Sequence, residues 1–60
     1  MATFVNWVEA EYAGEFKSLR DALHDAVETA HERDADVTVV DEDTGAEWTV
    51  DVSVSASAVE

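Results

Sequence analysis

Sixty residues carry fifteen Asp and Glu against Lys17, Arg20 and Arg33, for a formal net charge of −12, and include no cysteine and no proline. A chain of this length forms a single small domain, spanning 1–60, that buries only about 60% of the surface its unfolded form exposes. The missing cysteines exclude disulfides, thiolate metal sites and cysteine catalysis, and three cations among fifteen acids argue against nucleic-acid binding, which depends on neutralising phosphates.

In chain order, residues 3–12 (TFVNWVEAEY) are rich in β-branched and aromatic types and predict a first strand. Phe4 and Val8 fall on one face of it, Val5 and Trp7 on the other, so the strand is expected to be covered on both sides. Residues 13–17, around Gly14, read as a break. Ser18 opens S-L-R-D, an N-cap with an acid three residues later. Leu19, Ala22, Leu23, Ala26, Val27 and Ala30 follow at helical spacing, which predicts a helix over 18–33 with Arg20, Asp21, Asp25, Glu28 and Glu32 opposite the apolar stripe. VTVV, residues 37–40, predicts a second strand, and DEDTG a hairpin loop in which Gly45 can take positive φ.

From residue 47 to residue 58 polar and apolar residues alternate, with Trp48, Val50, Val52, Val54, Ala56 and Ala58 sharing one face. The expected fold is α+β in the order β-α-β-β. It is a three-stranded sheet with one helix on one face, the third strand lying between two parallel ones. A twelve-residue strand extends roughly 40 Å against about 24 Å for the helix. The overhang has two readings: neighbouring copies complete the fold, most simply as an isologous homodimer, or the small residues at the end, 55–60, form a frayed tail; the alternation reaching Ala58 and the two-faced first strand favour the first. Phe4, Val5, Trp7, Val52, Val54 and Ala56 are the expected self-association residues.

Candidate chemistry is sparse. His24 and His31 lie seven residues apart, about 10 Å along the axis, too far to share a metal ion. They read as solvated flanks of the stripe. Asp41, Glu42 and Asp43 resemble the start of a calcium loop, but the position for a bidentate Glu holds Val52. Gly14 and Gly45 are the only glycines, so no phosphate-binding Gly-rich loop exists. No serine has a sequence signature placing a histidine beside it. The expectation is therefore a protein that is not an enzyme and holds no metal.

The acidity, with ten Val, ten Ala and one Lys, reads as adaptation to a halophilic archaeon's salt-rich interior, where screening removes self-repulsion. With no signal-like start and no apolar run of eighteen residues, a cytoplasmic protein without membrane association is expected. The order of elements and the helical segment FKSLRDALHDAVETA resemble the dodecins, small flavin-storing proteins that assemble into hollow shells with the flavin ring stacked on tryptophan. That family's stacking Trp lies early in its second strand, where VTVV has none, so its site is not carried over. The short VTVVDEDTGAEW hairpin is equally similar to small strand, helix and hairpin domains. Two functions follow: a non-enzymatic, self-associating adaptor or accessory module without a cofactor, or, as the resemblance implies, a flavin or planar-cofactor store. In the second, Trp7 and Trp48, expected on adjacent strands, would supply the stacking rings.

Overall fold

The computed structural model describes residues 2–53. Five elements follow one another: β1 (Phe4–Val8), β2 (Glu11–Phe16), α1 (Leu19–Arg33), β3 (Val37–Asp41) and β4 (Glu47–Val50). The sheet runs β2-β1-β3-β4, and every neighbouring pair is antiparallel. The class is α+β with one helix, but the three-stranded β-α-β-β arrangement is corrected. Among the described residues there are four strands and no parallel pair. β1 pairs directly with β3, and β4 lies at the sheet edge rather than between them.

The additional strand arises because residues 3–12 fold back on themselves. Val8 pairs with Glu11, leaving Glu9 and Ala10 as a two-residue connection with φ of 51° and 82°. Positive φ at both central positions is the type I′ geometry, whose twist matches that of the flanking strands. Asn-Gly ordinarily marks such a turn; Glu-Ala does not, and each L residue held there costs roughly 1–2 kcal/mol. The fold-back is favoured because it gives β1 a ladder on both sides and sets Phe16 opposite Phe4. Residues 13–16, read as part of a break, are strand.

Ser18 caps α1 rather than joining it: its Oγ accepts a hydrogen bond from the Asp21 N–H at 3.1 Å, with φ of −131°. At the other end Asp34 takes the left-handed conformation, φ 52°, and both its N–H and that of Ala35 donate to the Ala30 carbonyl. The helix buries Ala22, Ala26, Val27 and Ala30 against Phe4, Val8, Val37, Val39 and Val50. With Ala at three of those four positions, the helix backbone lies close on the sheet, and Val37 and Val39 have no exposed surface.

The last strand departs furthest from expectation. β4 has four residues rather than twelve, because Val50 pairs with Val37, the first residue of β3, and no ladder partner remains beyond it. Asp51 then accepts hydrogen bonds through Oδ1 from the Ser53 N–H at 2.8 Å and the Ser53 hydroxyl at 2.5 Å, which turns the chain. The long ribbon has ended by residue 51. The remainder of the expected overhang, with Val54 and Ala56, lies outside the described residues.

Candidate functional site: the helix-free face of the sheet

Registered pairs share a face, so the ladders sort every paired strand residue. Phe4, Asn6 and Val8 lie on the helix side with Glu11, Gly14, Phe16, Val37, Val39, Asp41, Trp48 and Val50. Val5, Trp7, Tyr12, Glu15, Thr38, Val40, Glu47 and Thr49 lie on the other. No described element packs on that second face, since α1 occupies the first.

Val5 forms the floor of this face, flanked by Glu15 and Val40 and only 6% exposed. Trp7 and Tyr12 stand beside it, 37% and 57% exposed, with ring centroids 5.9 Å apart at 82°. This edge-to-face contact sets the positive edge of one ring against the negative face of the other. A bulge in β2 creates the pair. Asn6 opposes Gly14 while Trp7 opposes Tyr12, so Ala13 is the extra residue. A regular ladder would place Tyr12 opposite Val8 and aim it at the helix.

The expected self-association residues divide accordingly. Val5 and Trp7 lie on the open face. Phe4 does not: it is buried on the helix side, in the core beside Trp48, with ring centroids 6.3 Å apart. Val52, 39% exposed, lies in the turn after β4. Tyr12 and Val40 join the face without having been expected; for Tyr12 the only sequence cue was Gly14, which marked the irregularity in β2. Trp7 and Trp48 prove to be on opposite faces with β3 between their strands, so the two indoles cannot flank one planar ligand. Their expected proximity depended on a strand order the fold does not have.

Charge is partitioned as well. Among the described strand residues, Glu15 and Glu47 are the acids on the open face, whereas Asp21, Glu28 and Glu32 are exposed on the helix and Glu42 and Asp43 on the loop. The loop carboxylate of Asp41 is engaged locally, accepting from the backbone N–H of Asp43 at 2.9 Å and of Thr44 at 3.3 Å. Gly45 takes φ 81° there. DEDTG thus closes a hairpin with its own first acid. His31 is exposed, while His24 is half-buried and its Nε2 is buried without a hydrogen-bond partner. Among the described residues no three His, Asp or Glu side chains gather where they could hold a metal ion. No described helix is long and apolar enough to cross a membrane.

At the other end of the molecule a shallow recess of about 280 Å³ is lined by Val8, Glu9, Glu11, Arg33 and Ala35. Arg33 bonds Glu11 at 2.5 Å across it, and this carboxylate, first through the hydrogen bond and then through its charge, raises the guanidinium pKa. Both side chains are at least half exposed, so the pair is a solvated surface contact. No protein-family model, curated protein or solved structure matches the chain.

Proposed function

We propose that this protein is a non-enzymatic, self-associating module, an adaptor or accessory of a halophilic archaeon's cytoplasm, that pairs with a second copy through its helix-free sheet face. The observation that carries the reading is the exposed pair of Trp7 and Tyr12, standing with half-buried Val40 around the buried Val5 on a face that no described element covers, on a chain otherwise crowded with acids. Large exposed aromatics at the centre of a patch are the residue types that dominate binding energy in protein interfaces. An isologous arrangement applies the same patch twice and gives each open face a cover.

Sedimentation equilibrium in about 1 M salt, where the Debye length is about 3 Å, tests it on the parent chain and Trp7→Ala. The parent is expected to be dimeric. Trp7→Ala raises Kd more than tenfold, equivalent to about 1.4 kcal/mol or more. Because Trp7 lies outside the helix-facing core, the variant keeps its far-ultraviolet circular dichroism. A monomeric parent, or a variant that dimerises equally well, contradicts the proposal.

A further inference from the structure

We infer that this dimer is gated by ionic strength, closed in molar salt and open in dilute buffer; the inference rests on the self-association reading and adds its regulation.

The face suits a second copy better than a partner of other chemistry. A cationic partner is drawn to the exposed acids of the helix and the DEDTG loop, which lie away from Trp7 and Tyr12. The open face, with Glu15 and Glu47 as the only acids among its described strand residues, is where a chain of charge −12 offers least repulsion to one of the same sign.

The contact is small. Four strands of about five residues cover roughly 19 Å by 17 Å, or about 300 Å² per copy in projection, against about 800 Å² per partner in a standard interface. Its attraction is therefore modest, and the repulsion between two charges of −12 can decide the outcome. The molecule measures 29 × 25 × 15 Å between Cα positions. Stacking along the thin direction brings the two centres to about 20 Å, which is about two and a half Debye lengths in 0.15 M salt but more than six in 1 M. Screening leaves roughly a tenth of the repulsion at the first separation and about a thousandth at the second, and between two charges of −12 the tenth still counts. The carboxylates responsible are distributed over the whole chain, so the gate needs no dedicated sensor residue.

The test compares the parent with a triple variant, Glu28→Gln, Glu32→Gln and Asp43→Asn, whose exposed side chains lie on the helix and the DEDTG loop, off the docking face, and whose net charge is −9, from −12 plus three. Dissociation constants are measured by sedimentation equilibrium from about 0.15 M to 1 M NaCl, with circular dichroism confirming the fold. Where the parent is unfolded at the lower salt, the series starts at the lowest salt at which both chains are folded. The parent is expected to bind about ten- to a hundredfold tighter at the top of that range. At its bottom the triple variant binds at least about threefold tighter than the parent, and its salt dependence is shallower.

Parent constants that agree within threefold across the series overturn the gate while leaving self-association intact. Parallel salt dependence in parent and variant also overturns it, because strengthened apolar burial alone acts on both equally. A folded parent that is monomeric throughout removes the self-association reading itself, and the gate with it.

Discussion

Asn6 occupies the middle of β1 with no exposed surface, between Phe4 and Val8 on the helix side. Its Nδ2 donates to the Ala22 carbonyl at 2.9 Å and to Asp25 Oδ2 at 3.3 Å, and Thr29 Oγ1 donates to the same carboxylate oxygen at 3.5 Å. Its Oδ1 has no partner. The amide thus fastens the sheet to one flank of the helix while carrying the cost of a buried bare acceptor. Asn6→Ala loses both bonds and leaves a void, and is expected to cost about 1–3 kcal/mol in urea unfolding. Asn6→Asp separates polarity from size. A carboxyl buried beside Asp25 has its folded pKa raised above the unfolded value of about 3.9, so its penalty relative to the parent is small below about pH 4 and grows as the pH rises towards the folded pKa. Urea midpoints of both chains at about pH 4 and pH 7 measure it, and an equal gap at both values would show that Asn6 does not face Asp25 in this way. Alternation put this residue on the Phe4 and Val8 side, but the partner that makes burial tolerable comes from a helix sixteen residues away, which pattern alone does not reveal.

The elements differ in how openly their residues announce them. α1 was legible because Ser18, the apolar spacing and the break after Arg33 are all local signals, and the structure uses each one. VTVV and the start of β4 were legible because DEDTG carries its own turn chemistry, with Asp41 bonding the amides of Asp43 and Thr44. The β1-β2 hairpin was not, because Glu9 and Ala10 adopt left-handed conformations that nothing in their chemistry favours. The length of β4 misled for the opposite reason. Alternation continues past residue 50, but a strand needs a ladder partner, and β3 starts at Val37. The open face was hidden by both errors together, since it depends on strand order and on the Ala13 bulge. The strained turn makes its own prediction. Replacing Glu9→Asn and Ala10→Gly installs the residues that type I′ geometry accepts, and is expected to stabilise the protein by about 1 kcal/mol after the entropy cost of the new glycine. Chemical denaturation at constant salt reads this as a higher midpoint with an unchanged slope; a lower midpoint would mean that the turn is not of this type.

For the molecule as a whole, charge and size pull against each other. The chain packs a net charge of −12 into a body with a Cα radius of gyration of 10.3 Å, around a core that among the described residues holds nine buried side chains, three of them alanines. So small a core leaves little stability in reserve, and self-repulsion draws on it directly. The unfolded chain separates the same charges more widely, so salt must stabilise the native state. The Arg33 and Glu11 pair works in the opposite sense but is too exposed to offset this. To separate the effect from dimerisation, the measurement uses Trp7→Ala at low concentration, where self-association is suppressed. Its unfolding free energy is expected to rise by about 1–3 kcal/mol between about 0.15 M and 1 M NaCl, then to level off once the Debye length, about 3 Å at 1 M, is shorter than the spacing of neighbouring carboxylates. Continued linear growth beyond that point would assign the stabilisation to strengthened apolar burial instead. A flat response would mean that the fold already disperses its fifteen acids widely enough for screening not to matter.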